Sequence, residues 1–466
     1  MMARDAQTIR PSAGIDRQRD GVAARAPLMI FLVNFDFPPI GGPGVWRALG
    51  FAKYLALEGH TVHIFCSDRP SWHQRFDPSL LAQVPASGVV IHRIHSVLLG
   101  DIEEAGGRVW ERWRRPALRR RGSGVQWHLM RLFPAPELHW FVKVTGSLVA
   151  QSRRSRPDRV VTSGPPHICH LAGLALRRLK RVPWIVDFRD LWLDDPSQRP
   201  QGPYQEWLVR RLQALVLGRA DAVVTVSPSW QRHLGEKVRS AKGPLPVHLI
   251  RNVHDLRPSD AVRVPPHPAG GPLHIHFGGA PQPNNRSNTL VDALARLRRA
   301  LGDDTRLPVV TYPGLGRRLR EQIARQGLEA NVRNVGTLNS AASLAADVLL
   351  VTVNNEGAVK SGTIPAKLYE AMALERHVLA LVPQGSDVIP LLAEYGDATV
   401  CDVDDVEAVG RALHALVERH ERGELVHAGE NVIPDPRAMR YSRQAQAGEL
   451  GALVESLAAC RRARGR

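Results

Sequence analysis

LMIFLVNFDFPPIGGPGVWRALGFAKYLALEGHTVHIFC, residues 28–66, is the stretch from which the fold is read. Residues 28–35 are a continuous apolar run with Asn34 near its end, as expected of a parallel strand buried on both faces. The turn DFPPIGGPG follows, and Val45, Ala48, Leu49, Ala52, Leu55 and Ala56 then recur at helical spacing, with Gly59 placed to end the helix. Residues 61–66 read as a second strand, so the unit is βαβ. Gly41 and Gly42, between strand and helix, let a ligand approach the backbone at the sheet edge where doubly wound folds bind. A turn that needs glycine for its own geometry is an equal reading.

The same alternation continues outward from this unit. Strands are expected at 160–163, 183–186, 221–227 and 247–250, with the turn GPPH at 164–167. The strand at 183–186 runs into DFRDLW, residues 187–192. Charges crowded at a strand's carboxyl end are expected to lie outside the core, on the rim of a ligand crevice. The competing account pairs Arg189 with Asp187 or Asp190 for structural reasons. Residues 256–272 are rich in Pro and Gly without an apolar period and read as a linker. The βα pattern then restarts, with strands expected at 273–277, 308–312, 332–335, 347–353, 377–382 and 399–401 and helices at 387–395 and 406–421. A last helical region, about 437–460, has no strand behind it. The expected architecture is α/β, two facing Rossmann-like domains with parallel sheets and an interdomain cleft. Its divisions are a basic disordered tail (1–26), a first domain (27–255), a linker (256–272), a second domain (273–436) and a terminal helix (437–466) packing back on the first domain.

KSGTIPAKLYEAMALERHVLALV, residues 360–382, is the candidate ligand stretch. A polar glycine-containing loop leads to a helix opened by Pro365, with Leu368, Ala371 and Met372 on one apolar face. Small residues feeding a helix N-terminus offer unpaired N–H groups and a positive dipole end, which suit a phosphate. Glu370, a turn further in, is placed to accept hydrogen bonds from sugar hydroxyls. The plain alternative is an ordinary αβ unit with Lys367 and Glu370 as a surface ion pair.

The 466 residues carry a formal charge of +17. That excess suits nucleic acid, an anionic membrane or phosphorylated substrates, and composition does not choose among them. Cys66, Cys169, Cys401 and Cys460 stand apart, with no metal or disulfide spacing, which fits a reducing cytoplasm. No apolar run reaches the ~20 residues of a membrane helix. RVWERWRRPALRRR begins at Arg108 and holds seven Arg and one Glu, with Trp110 and Trp113 inside it and Trp127 beyond. Indoles among guanidinium groups suit an anionic membrane surface. A solvated basic loop is an equal reading, and stacking on single-stranded nucleic acid is the weaker one.

With both halves laid out, the chain resembles the GT-B glycosyltransferases, in particular the retaining family-4 enzymes of bacterial polysaccharide synthesis. FPPIGGPGVWRALGFAKYLALEGHTVHIF, SGPPHICHLAGLALRRLKRVPWIVDFRDLW and KSGTIPAKLYEAMALERHVLAL carry the resemblance. It implies that Gly41 and Gly42 lie near the donor diphosphate or the acceptor. It further implies that Arg286 neutralises the diphosphate, and that Ser361, Gly362 and Thr363 present N–H groups to it, with Lys360 or Lys367 adding charge; Arg189 is a further candidate substrate-binding residue. Glu370 matches the second glutamate of the family's paired-Glu motif, which holds the ribose. The first falls at Gly362, where the carboxylate is missing. Asp190, and after it Asp187, takes the place of a polar residue beside the transferred sugar. Asp404 and Asp405 read as a helix cap rather than a metal motif. The implied activity is metal-independent transfer of a hexose, with no cofactor, from a nucleotide sugar to a glycan or lipid-linked acceptor. From the cysteines and the basic Trp-containing stretch, not from the resemblance, the expected location is cytoplasmic and peripheral on the inner membrane face through Arg108 to Trp127. An epimerase or phosphorylase on the same fold, or a non-catalytic nucleotide-sugar-binding scaffold, are the other readings.

Overall fold

The structure is a computed structural model. It describes residues 26–42, 44–69, 76–95, 137–194, 202–237, 239–240, 243–244, 246–254, 256, 262–263, 271–278, 288–302, 304–335, 345–353, 360–425, 431–432 and 435–463. The stretch from Arg108 to Trp127, Asp255 and Arg286 lie outside the described residues, as does the Lys360 side chain. The described residues up to Trp184 form one compact unit and those from Ile185 onward a second.

The elements alternate as the apolar runs require. β1 (Met29–Asn34), α1 (Val45–Leu57), β2 (Thr61–Ser67), β3 (Val89–Ile94), α2 (Leu138–Arg154), β4 (Arg159–Gly164), α3 (Cys169–Lys180) and β5 (Trp184–Phe188) come first. α4 (Pro203–Leu217), β6 (Ala222–Thr225), α5 (Pro228–Lys237), the short β7 (Arg239–Ser240) and β8 (Gly243–Pro244), and β9 (Val247–Leu249) follow. Seven strands are joined in the order β3-β2-β1-β4-β5-β6-β9, and the β1–β2 and β1–β4 pairs are parallel. β1 is buried along almost its whole length, which is why it reads as an unbroken apolar run rather than an alternating one.

The second half adds β10 (Val262–Arg263), β11 (His274–Phe277), α6 (Asn288–Leu301), β12 (Val309–Tyr312), α7 (Arg317–Gln326), β13 (Val332–Asn334) and β14 (Val348–Thr352). It ends with α8 (Ala366–Ala373), β15 (His377–Val382), α9 (Val388–Tyr395), β16 (Ala398–Asp402), α10 (Val406–Glu421), β17 (Asn431–Val432) and α11 (Arg443–Ala463). Six strands form a sheet in the order β13-β12-β11-β14-β15-β16. Successive side chains of β14 and β15 go to opposite faces. Leu350, Leu379 and Leu381 join one core with Leu290, Leu294 and Leu413, while Leu349, Val351, Val378 and Ala380 join another with Leu368, Met372 and Leu392. Helices therefore cover both faces of this sheet. α10 buries Val409, Leu413, Leu416 and Val417, each worth about 1.5–3 kcal/mol relative to exposure. Asp405 starts α10 by accepting from the N–H groups of Glu407 and Ala408, as the sequence suggests.

Three features depart from the sequence reading. The edge strand β3 is unforeseen: VVIHRI is half-exposed, so it carries no continuous apolar signal. Within 256–272, β10 pairs antiparallel with β17. The last helical region is a 3-10 turn, Pro436–Tyr441, followed by α11. His254 Nε2 bonds the Ala438 carbonyl at 3.0 Å, and Gln446 Nε2 donates to the Arg251 carbonyl at 2.5 Å, so this terminal segment is tied to residues 251–254.

Candidate functional site

α8 forms because Leu368, Tyr369, Ala371, Met372 and Ala373 bury one side of a short helix, with Pro365 as the extended residue before it. The other side carries Lys367 and Glu370, whose Nζ and Oε2 lie 2.7 Å apart. The ion pair of the plain alternative is therefore present. With Gly278, Leu349, Val351 and Leu374 the pair lines a small cleft. Gly278 follows β11, and a Cβ there would meet Lys367 Cγ at 3.4 Å. That is ordinary van der Waals contact, so the lysine stem lies close to residue 278 without requiring a glycine there. Beside it His276 is almost wholly buried, with Nδ1 2.8 Å from Thr311 Oγ1. Burial first, then the charges of His274 and Lys367, push His276 down to about 4, so the ring is neutral near pH 7.

The turn before α8 is held from one side. Residues 360–362 form a 3-10 turn. Asp387 donates its N–H to the Ser361 carbonyl at 2.7 Å. The Asp387 carboxylate accepts from the Ser229 N–H at 2.7 Å and from Ser229 Oγ at 2.8 Å. Ser229 is in the first turn of α5, so a side chain 158 residues away does the work of a helix cap. Trp230, the next residue, packs onto Gly362. A Cβ added at Gly362 would lie 2.5 Å from Trp230 Nε1 and 2.7 Å from Ser227 Oγ. The Ser227 hydroxyl is fully buried with no hydrogen-bond partner among the described residues. Gly362 is itself buried, while Thr363 is exposed and Ser361 is partly so. On the side where a Cβ would project, Gly362 therefore packs against an indole. Helical residues begin only at Ala366, so the dipole end lies beyond the three small residues.

DFRDLW is arranged differently from a row of rim charges. Asp187 lies inside β5 and is fully buried, and Arg189 is buried as well. The expectation that these charges stand outside the core is overturned for both. Only Asp190 reaches solvent, and its Oδ2 is 3.9 Å from Arg189 Nε, so the ion pairing of the competing account involves this aspartate. Further along, Asp194 takes His233 Nε2 at 2.8 Å and pairs with Lys237, both on α5. The His233 hydrogen bond, outweighing burial, holds the Asp194 carboxyl down to about 2. The same helix is therefore fastened to the loop after β5 and to Asp387. Sequence reading missed Ser227, Trp230, Asp387 and Asp194. Ser227-Pro228-Ser229 before an apolar-periodic run is a helix-start signal, but it does not point to a cap supplied from residue 387.

Gly41 and Gly42 belong to the other unit. Gly42 has φ 116°, a conformation that suits glycine, and its carbonyl accepts from the Val45 N–H at 3.2 Å to start α1. The turn thus requires glycine for its own geometry. In the same unit burial, followed by the Asp36 charge, pushes Glu137 up to about 7. Among the described residues no group of three or more His, Cys, Asp or Glu is disposed to hold a metal ion. No helix among them is long and apolar enough to cross a membrane.

Residues 41–252 match the family model described as a glycosyl transferase 4-like domain. Solved structures extend the likeness to the whole fold. Sucrose-phosphate synthase from Thermosynechococcus elongatus superimposes with a TM-score of 0.61 at 16% identity, over 93% of this chain and 100% of that one. Anabaena HepE, in complex with UDP and glucose, gives 0.59 at 15% identity, over 92% and 99%. A glycosyltransferase from Rickettsia africae gives 0.58 at 13%, over 93% and 99%. No curated protein matches in sequence. The chain has the GT-B fold, and its glycosyl transferase 4-like domain runs from the Gly41-Gly42 turn through DFRDLW to the strand and turn before residue 252. The Lys367–Glu370 cleft lies outside the matched segment. Domain and fold together support glycosyl transfer in general.

Proposed function

We propose that the chain transfers a hexosyl group from a nucleotide sugar to a glycan or lipid-linked acceptor, with retention and without a metal. The observation that supports this best is the match of residues 41–252 to a glycosyl transferase 4-like domain in a chain with the GT-B fold whose α8 carries Lys367 and Glu370. Negative charge grows on the departing diphosphate during transfer, and cationic groups with N–H donors must meet it. Lys367 stands at the cleft, Thr363 is exposed beside it, and Lys360 and Arg286 are assigned the same task. Glu370 would exchange its lysine partner for ribose hydroxyls. Asp190 is assigned to the sugar, because it is the aspartate of DFRDLW that reaches solvent. The likeness to a protein crystallised with UDP and glucose makes uridine nucleotides the first donors to try.

The test is a thermal-shift screen against UDP, GDP, ADP and CMP, followed by transfer assays with the matching sugars and lipid-linked acceptors. A stabilising nucleotide and a transferred hexose are expected. A folded protein that responds to no nucleotide and transfers no sugar would overturn the proposal. Transfer undiminished by EDTA is expected, and loss of transfer that divalent cations restore would remove the metal-independent part. One observation favours a second reading, a nucleotide-sugar-binding scaffold that does not transfer: where the family's first glutamate falls, Gly362 is packed beneath Trp230. Nucleotide binding without transfer to any acceptor would support it. We place the protein at the cytoplasmic face of the membrane, and charge-neutral replacements between Arg108 and Arg121 should then lower binding to anionic vesicles.

A further inference from the structure

Among the described residues of the second unit, α4, PYQEWLVRRLQALVL, is the one helix whose outer face carries two half-exposed aromatic rings. Its inner side buries Gln205, Val209, Gln213, Val216 and Leu217. Tyr204 and Trp207 point the other way, 51% and 53% exposed, whereas Trp140 and Trp184 are wholly buried. The two rings stack on each other, centroids 6.1 Å apart at 29°. The Arg211 guanidinium lies over the Trp207 ring at 5.8 Å. Positions 204, 207 and 211 are spaced three and four apart, so they form one stripe along the helix. Arg210 flanks it, bonded at 2.6 Å to Glu206, the helix's single acidic residue.

We infer that the Tyr204–Trp207–Arg211 stripe of α4 is a docking surface for an anionic phospholipid bilayer. Tyrosine and tryptophan have an apolar body and a polar tip, which suits headgroup depth. A guanidinium already stacked on the indole is held at the level where lipid phosphates lie, and it is less strongly hydrated than an ammonium. The only carboxylate of the helix is neutralised by Arg210, so the face is basic, on a chain of formal charge +17. That sign attracts an anionic surface and opposes a second copy, since an isologous contact would set Arg210 and Arg211 against themselves. This surface is separate from the basic stretch between Arg108 and Trp127. It does not depend on the donor reading, because vesicle binding needs no nucleotide.

The full chain is sedimented with vesicles of phosphatidylcholine, alone and mixed with phosphatidylglycerol, for wild type, Tyr204→Ala/Trp207→Ala, Trp207→Phe, Arg211→Gln and, as a control, Val142→Ala, an exposed apolar residue elsewhere. The expected result is salt-sensitive binding to the anionic vesicles, lowered about tenfold by the double substitution, since interfacial binding scales with buried apolar area. Arg211→Gln should weaken it less, and Trp207→Phe and Val142→Ala should retain most of it. The substituted side chains are exposed, so circular dichroism and thermal midpoint should not change. Wild type that ignores both vesicle types, or a double variant that binds as wild type does, overturns the inference. So does a double variant that keeps vesicle binding but abolishes self-association in the ultracentrifuge, which would assign the stripe to a second copy.

Discussion

Gly362→Ala is the sharpest probe of the contact between the turn at 360–362 and α5. The added Cβ would stand 2.5 Å from Trp230 Nε1 and 2.7 Å from Ser227 Oγ, where ordinary contact begins near 3.4 Å, so the indole must shift by about an ångström. Trp230 is poorly placed to shift, being 7% exposed on a helix whose first turn Asp387 holds through two hydrogen bonds. Overpacking of this kind costs about 1–3 kcal/mol, while replacing glycine at a permissive backbone conformation returns about 0.4–1 kcal/mol through the unfolded chain. The net expectation is a loss of about 0–2.6 kcal/mol, read as a lower urea midpoint with an unchanged slope. Gly410→Ala in α10 is the control. A Cβ there meets nothing within 4 Å, so that variant should gain about 0.5–1 kcal/mol. In a Trp230→Ala background the Gly362→Ala penalty should shrink by at least about 1 kcal/mol, because contacting residues are non-additive. Gly362→Ala that stabilises as Gly410→Ala does, or that costs the same with and without Trp230, would refute the packing argument.

Asp387→Ala should lower stability by about 1–2 kcal/mol through loss of the α5 cap, and Asp387→Asn, which keeps an acceptor, by less; denaturant titration of both checks this. Glu370→Ala should weaken binding of whichever nucleotide the screen identifies, and unchanged affinity by calorimetry would remove Glu370 from the site. His276 is neutral in the fold down to about 4, whereas in the unfolded chain it takes a proton near 6.5. The unfolded state therefore binds more protons between those values, and stability should fall by about 2–3 kcal/mol as pH drops from 6.5 to 4. His276→Gln should flatten that slope, and an unaltered slope in the variant would assign it to other groups.

How much of this was legible in the residues depends on how far each signal travels along the chain. The βα alternation is local, so the strand at 377–382 and the helix at 406–421 coincide with β15 and α10. The Asp405 cap is readable too, because its two donors are two and three residues away. β3 was not, since its half-exposed residues lack the continuous run of a buried strand. Nor was the burial of Asp187. A charge at a strand end suggests a rim, yet β5 is covered along its length.

Gly362 marks the limit most plainly. The family resemblance implies a missing carboxylate there, and a missing side chain suggests open space for a ligand. The space is filled, by an indole from residue 230 held in place by a carboxylate from residue 387. Neither partner is near in sequence, and neither follows from any periodicity. Glycine at 362 meets a packing requirement that exists only once α5, the turn and α9's leading residue are brought together. Restoring a carboxylate by Gly362→Glu alone should not restore a sugar contact, because the Trp230 ring would have to leave first.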